Sequence, residues 1–566
     1  MSITAQVHDR EGERAVNPHP LVVELAKVLP KDRKFTAYHV STPPVNADPL
    51  FHSPAYNPTS SSTPSDETKS KSISRRPSKP LKTYCEKHFL AISIDAGNKE
   101  KSTEGQVLVL GLEIYIYTTR FSTIVFVSKA DSTGYLNLLE LPKGTPSPIR
   151  EVTACFLAYL IANRKRPTKQ LVVNLFARAQ SQYLFPGSVK NKDKHILDDK
   201  GLVKWWCRVL NSLLEGDDYS DVKQTWDKIH GYLVIPGLDN YETRAFLPRT
   251  SVASTNWTLG HPLENISPYT KDQNIYGPVI YPRCLIPIFP DDPKARFVEE
   301  LEESTSEMTK LLSGWKSPKT LEQFWEMMAF RQECSSGRLT GFIWVVFDPP
   351  VAPNPATKSA AVIPTPDTSF SAPQVNGEAP TTSIALPLES TQKTKKGLRK
   401  RKGKKKKLTG PIIPRKPHVK THMGPQFPKD TETPYYSWPE HGRGQVVLAD
   451  TGYKRAIELL LHLEFGTLEQ ATASTARWSG EVGMGKNWTL EIIGERAAVN
   501  PNPTASSTSD GAVNNLSGMV RRKRGSDDQT AADASPSTSP VTTLLGKGVV
   551  RKKAKLDYDS TAATSA

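Results

Sequence analysis

Three apolar runs limit what this chain can fold into: FLAISI at 89–94, QVLVLGLEIYIY at 106–117 and STIVFV at 122–127. They are rich in β-branched and aromatic residues, so each reads as a strand. Their apolar character is nearly continuous rather than alternating. A strand of that kind belongs to a sheet covered on both faces. The predicted fold class is therefore mixed α/β, with a central mixed β-sheet surrounded by helices. Further strands are predicted at 171–176 and 341–347. Helices are predicted at 20–28, 148–162, 201–214, from Pro293 to about residue 312, after Ser317-Pro318, and at 453–465.

Only part of the 566 residues reads as folded. The 46 prolines and the Ser/Thr/Pro-rich stretches cannot bury enough apolar surface to offset chain entropy. The expected division is an N-terminal piece of the catalytic domain at 1–53, a disordered insert at 54–80 and the catalytic core at 81–349. A disordered basic insert at 350–430, a C-terminal piece of the catalytic domain at 431–497 and a disordered basic tail at 498–566 follow. Of the formal charge of +16, residues 393–407 supply eleven positive charges and no acid, which leaves +5 elsewhere. The basicity is thus local and not that of a DNA-binding face. The basic clusters at 521–524 and 551–553 read as nuclear-import or nucleic-acid-contacting segments. Five scattered cysteines form no CxxC pair, which argues against a zinc site or a disulfide framework and fits a reducing compartment. No run of about 18 apolar residues exists, and no membrane association is expected.

Four stretches carry candidate chemistry. FPDDPKARF at 289–297 sets Asp291 and Asp292 between two prolines. Asp292-Pro293 reads as an N-cap with Pro at the first helical position, so the stretch is either a well-capped helix start or a site. Residues 128–135 end a predicted strand in small polar residues and a glycine, either a plain turn or a backbone surface for a ligand. Residues 146–150 (PSPIR) open a helix with Ser147 as N-cap and Pro148 as the first helical residue. Arg150 in a first turn opposes the helix dipole, so it is either solvated or paired with an anion such as phosphate. Trp205 and Trp206 lie about 100° apart on a helix; both pack in the core, or one lines a cleft.

Several blocks together resemble the fungal histone acetyltransferases that modify lysine 56 of histone H3, the regulator-of-Ty1-transposition type. They are FVSKADSTGY at 126–135, SQYLFP at 181–186, His195-Ile196-Leu197 with Lys204-Trp205-Trp206, and FPDDPKARF at 289–297. That family is distantly similar in fold to the metazoan coactivator (CBP-type) histone acetyltransferases. The resemblance implies an acetyl-CoA-dependent histone lysine N-acetyltransferase that works in the nucleus, in chromatin assembly and the DNA-damage response. By the same resemblance, Ala130, Asp131, Ser132, Pro146, Ser147, Pro148, Ile149, Arg150, Phe176, Gln180, His195, Ile196, Leu197 and Trp205 contact acetyl-CoA. Tyr183 and Trp206 line the substrate-lysine entrance, Asp292 is the acid/base with Asp291 beside it, and Lys294 is autoacetylated.

The cosubstrate implied is acetyl-CoA, with no metal. The partners implied are histone H3–H4 and histone chaperones of the nucleosome-assembly-protein and anti-silencing-factor types, with non-specific DNA contact through the basic segments. Family members also modify H3 tail lysines, so the preferred lysine stays open. An N-capping carboxylate has a lowered pKa and makes a poor base. Asp291 is freer to point into a site, so both stay open as the base, with Asp292 preferred on the resemblance. The alternative is a non-catalytic chromatin scaffold on a degenerate acetyltransferase fold.

Overall fold

The fold is built on one mixed sheet in the order Val446–Val447, Lys34–Ser41, Thr83–Asp95, Gln106–Thr118, Ser122–Ser132, Gln170–Ala177, Gly341–Asp348, Lys228–Val234, Trp257–Leu259, with Leu490–Ile493 pairing Lys34–Ser41 and Val45–Ala47 pairing Thr83–Asp95. In this computed structural model the described residues are 18–54, 80–97, 105–215, 219–271, 281–335, 337–350 and 427–497. The stretches expected to be disordered, with the Lys/Arg block at 393–407 and both C-terminal basic clusters, lie outside them except at their edges.

The strands are β1 (Lys34–Ser41), β2 (Val45–Ala47), β3 (Thr83–Asp95), β4 (Gln106–Thr118), β5 (Ser122–Ser132), β6 (Gln170–Ala177), β7 (Lys228–Val234), β8 (Trp257–Leu259), β9 (Gly341–Asp348), β10 (Val446–Val447) and β11 (Leu490–Ile493). The helices used below are α1 (Pro20–Val28), α2 (Pro148–Asn163), α3 (Asp199–Glu215), α4 (Pro293–Glu303), α5 (Glu307–Ser313), α6 (Leu321–Ala329), α7 (Asp450–Leu461) and α8 (Leu468–Val482). Short helices between them are cited by residue.

Both faces of the sheet are covered. Along β5 and β6, Val125, Leu171, Val173 and Leu175 join one core, while Ile124, Phe126 and Val172 join the other. Strand β9 alternates in the same way, Ile343, Val345 and Phe347 against Phe342, Trp344 and Val346. The period of two puts successive apolar side chains on opposite faces, which is why these strands read as continuous apolar runs. Helices α1, α2, α3, α7 and α8 cover the first face; α4, α6 and the segment before α4 cover the second. Strands β5 and β6 are parallel, and α2 is the crossover between them. The C-terminal piece belongs to the same sheet: β10 pairs parallel with β1, and β11 pairs antiparallel with it.

Several sequence expectations need correcting. Residues 130–132 continue β5, where Ala130, Asp131 and Ser132 pair with Leu112, Gly111 and Leu110, rather than forming a loop after the strand. The helix from Pro293 ends at Glu303, and Ser306 caps a new one with its hydroxyl on the Thr309 N–H. Helix α6 starts at Leu321 with Thr320 as its N-cap, not at Ser317-Pro318. Strand β7 was not expected, and the described residues of the 236–281 region, read as loop-rich, include three short helices and β8.

A buried polar chain ties the first strands to α2. His39 Nε2 meets His88 Nδ1 at 2.9 Å, and His88 Nε2 meets Glu86 Oε1 at 2.9 Å. Arg164 Nε donates to Glu86 Oε2 at 2.9 Å. Burial pushes both histidines below 6.5, His39 the further because His88 and Arg164 also oppose its charge. Burial alone would raise Glu86, but Arg164 and His88 hold it down at about 2. All three folded values lie below the unfolded ones. Stability is thus full above the unfolded values and is lost as pH falls, first through 6.5 for the histidines and then from 4.5 towards 2 for Glu86. The denaturation midpoint is expected to fall steadily from pH 7.5 to 5; a flat midpoint over that range would contradict the buried neutral histidines.

Candidate active site

One large cavity, of about 800 Å³, opens where the C-terminal halves of β5 and β6 meet the 178–197 loop, the N-terminus of α2, α3 and the turn before α4. That volume is in the range of small-molecule sites. The loop is held to the sheet by Asp131, which is 8 % exposed. Its Oδ2 accepts the N–H groups of Tyr183, Leu184 and Phe185 at 2.7, 2.9 and 3.2 Å. Its Oδ1 accepts Lys194 Nζ at 2.9 Å, and Lys194 also donates to Ser188 Oγ at 2.8 Å. The Asp131 carboxylate is therefore occupied with shaping the cavity wall. Gly134 lets the loop close down: its φ is +93°, and a Cβ there would sit 2.6 Å from the Lys194 nitrogen.

Most of the sequence-predicted residues meet at this cavity. Ala130, Asp131, Ser132, Ser147, Ile149, Arg150, Phe176, Gln180, Tyr183, His195, Ile196, Leu197, Trp205, Trp206 and Asp291 all line it. Pro146, Pro148, Asp292 and Lys294 do not form its wall. The two indoles pack edge to face at 4.8 Å; Trp206 is 5 % exposed, yet both reach the cavity. Burial pushes the Tyr183 phenol up to about 12, so it stays protonated and donates to the Arg178 carbonyl.

Ser147 stands at the N-cap of α2 but makes no side-chain capping bond. Arg150 is neither free nor fully committed. Its Nε and Nη2 donate to Glu151 Oε1 at 2.9 and 2.7 Å, and Glu151 Oε2 accepts from Arg496 Nη1 at 2.9 Å.

The acid pair divides sharply. Asp292 is 1 % exposed and caps α4, its Oδ1 accepting the Lys294 N–H at 2.9 Å. Its Oδ2 is ion-paired with Lys294 Nζ, itself wholly buried and 4.5 Å from the Phe342 ring centroid. Burial pushes the Lys294 amine down, against the pull of Asp292. Both oxygens of Asp292 are thus engaged away from the cavity, which leaves no lone carboxylate there to take a proton. Asp291 has the opposite setting. It lies in the left-handed region at φ +60°, its side chain is 77 % exposed, and it lines the cavity. Of the two acids kept open by the sequence, Asp291 is the one that reaches the cavity, where the sequence reading preferred Asp292.

The cavity also contains residues that the sequence did not single out: Lys129, Arg178, Gln182, Lys194, Arg208 and Arg296. Lys129 lies inside the 126–135 motif and Lys194 directly precedes the 195–197 one, so the sequence brought both within one residue of predicted positions. Arg178 Nε and Gln182 Oε1 are buried without a hydrogen-bond partner among the described residues. Orphaned polar atoms on a basic wall fit a polyanionic, amide-rich ligand such as acetyl-CoA. No group of three His, Cys, Asp or Glu among the described residues could hold a metal ion. No helix there is long and apolar enough to cross a membrane.

The histone acetyltransferase KAT11-type domain matches residues 21–171 and 166–481. The chain is 34 % identical to histone acetyltransferase rtt109 of Aspergillus flavus, across 96 % of this chain and 90 % of that protein. It is 36 % identical to histone acetyltransferase rtt109 of Schizosaccharomyces pombe, over 42 % of this chain and 56 % of that one. The fold is similar to the crystal structure of Rtt109 from Aspergillus fumigatus, with a TM-score of 0.58 and 33 % identity, covering 84 % of this chain and 99 % of that one.

Proposed function

The chain belongs to the KAT11-type histone acetyltransferase family, an acetyl-CoA-dependent acyltransferase acting on histone lysines, and from that premise we propose that it acetylates newly made histone H3 in the nucleus, with lysine 56 as the main target. The observation that supports the reading is a large cavity with a basic wall, an aromatic mouth and the exposed Asp291 carboxylate at its edge. Lysine 56 itself rests on the motif resemblance. Histone chaperones of the nucleosome-assembly-protein and anti-silencing-factor types deliver H3–H4 in this reading, and the basic segments add non-specific DNA contact.

The residues divide the work along the cavity. Arg150, Arg178 and the His195–Leu197 backbone hold acetyl-CoA, with Trp205 and Phe176 against its apolar parts. The acceptor lysine enters past Tyr183 and Trp206. Its free pKa is about 10.4, so it must shed a proton before it can attack. The aromatic entrance favours the neutral amine, and Asp291 accepts the proton. The amine then attacks the thioester carbonyl; the C–N bond forms, the C–S bond breaks, and CoA leaves as the thiol. Positioning of the two substrates supplies much of the rate.

Arg150→Ala is expected to weaken acetyl-CoA binding by about 1–3 kcal/mol, at the lower end because Glu151 already shares its charge. Calorimetric titration decides; an unchanged affinity would mean the Arg150–Glu151 pair is purely structural. The function itself is tested with purified protein, acetyl-CoA and H3–H4 tetramers, with and without chaperones, mapping the acetylated lysines by mass spectrometry. Turnover only on H3 tail lysines under every condition would remove the lysine 56 assignment.

A further inference from the structure

Strand β5 carries one residue more than β4 opposite it. Glu113 pairs with Lys129 and Ile114 with Val127, which leaves Ser128 as a bulge. Successive strand residues normally point to opposite faces; a bulge re-aims one of them. Here Ser128 Oγ and Lys129 Nζ both donate to Glu113 Oε2, each at 3.0 Å. Glu113 is 2 % exposed, and its Oε1 accepts from Tyr115 OH at 3.0 Å and from Tyr453 OH of α7 at 3.4 Å. Ser128, Lys129 and Tyr115 hold this buried carboxylate outright, Tyr453 shares its one proton between it and the His88 carbonyl at 3.2 Å, and the carboxylate in turn fixes Lys129.

On its other side Lys129 lines the cavity and comes within 3.7 Å of Asp291 Oδ2. Among the described residues no other cation lies within ion-pair distance of that carboxylate; Arg296 reaches only the Asp291 backbone oxygen, at 3.4 Å. An exposed carboxylate on a turn has several rotamers, and only some face the cavity.

We propose that Lys129, anchored by Glu113, is a positioning residue that holds Asp291 in the orientation from which it takes the proton of the acceptor lysine. The inference rests on the reading of Asp291 as proton acceptor. A lysine alone could not do this, because its four-carbon stem is flexible. The buried anchor removes that freedom. The bulge is what lets one strand present both the anchor contact and the ammonium at the cavity edge.

The test uses the full chain with H3–H4 and acetyl-CoA, comparing Lys129→Met, Lys129→Arg, Glu113→Gln, Asp291→Asn and the double variant Lys129→Met/Asp291→Asn. Lys129→Met is expected to lower kcat by about 10- to 100-fold, with acetyl-CoA affinity unchanged. Lys129→Arg keeps both ion pairs and retains most of the rate. Glu113→Gln keeps its hydroxyl partners and gives a smaller loss in the same direction, which covers the case in which Lys129→Met folds poorly. In the double variant, Lys129→Met adds no further loss to Asp291→Asn, because it acts through that carboxylate. Equal losses from Lys129→Met with and without Asp291 would overturn this inference alone. A full kcat in Asp291→Asn would remove the Asp291 reading and this inference with it.

Discussion

Asp292→Ala is expected to cost about 3–5 kcal/mol of stability, the effect of stranding one partner of a buried ion pair. The Lys294 ammonium is wholly buried and has no solvent to turn to. The change also removes the N-cap of α4, which alone costs about 1 kcal/mol. Asp292→Asn keeps an oxygen for the Lys294 N–H and loses only the charge, so it falls in between. Asp291→Asn contrasts with both. Its side chain is exposed, and Asn tolerates the left-handed backbone at φ +60° as well as Asp does, so stability stays within about 0.5 kcal/mol. Its kcat, however, is expected to fall by about 10²-fold or more, the usual contribution of a general base. Denaturation midpoints and turnover rates for the three variants separate a structural acid from a catalytic one. A normally stable Asp292→Asn with lost kcat would reverse the assignment.

The sequence made the sheet legible for a physical reason. The central stretches of strands β3 to β6 are buried on both faces, so apolar and β-branched residues run through them with few polar interruptions. Helix α1 was legible to the residue, since Pro20 starts it and its apolar side is regular. The end of β5 was not. Residues 128–132 look like a turn because one side of that strand faces a cavity and carries polar side chains, while its backbone still pairs with β4. The break between α4 and α5 was missed because Ser304-Thr305-Ser306, although weak helix formers, interrupt a Glu-rich run that resumes at Glu307. Only the Ser306 cap marks the restart.

The candidate site was legible where chemistry follows the motif and not where it follows distance. Asp292 could be read as a cap, which sets it against the role of base that the motif resemblance gives it. Its pairing with Lys294 against Phe342 could not, since β9 lies about fifty residues further on. The Asp131 hub and the Glu113–Lys129 pair depend on register, a bulge and a loop closed over Gly134. None of these leaves a local pattern.

Lys294 is expected to be found acetylated in active preparations, and Lys294→Arg to lose more activity than Lys294→Gln. The site is wholly buried, holds one carboxylate, and is floored by Phe342 at 4.5 Å and Trp344 at 5.9 Å. Burial pushes the amine down, so the charged form is already disfavoured there, and the pull of Asp292 only partly compensates. Acetylation removes the charge yet keeps one N–H, which can still donate to Asp292 Oδ2, and it adds apolar contact over the two rings. The Gln amide reproduces the neutral donor on a shorter stem. Arginine cannot shed its proton, so it keeps a charge where burial disfavours one. The cost falls on the first turn of α4, directly after Asp291 at the cavity edge. Mass spectrometry of the peptide spanning residues 289–297, with rates and denaturation midpoints for both variants, decides it. An unmodified Lys294 in fully active protein would dispose of the acetylation, and Lys294→Arg outperforming Lys294→Gln would show that the pair needs its charge.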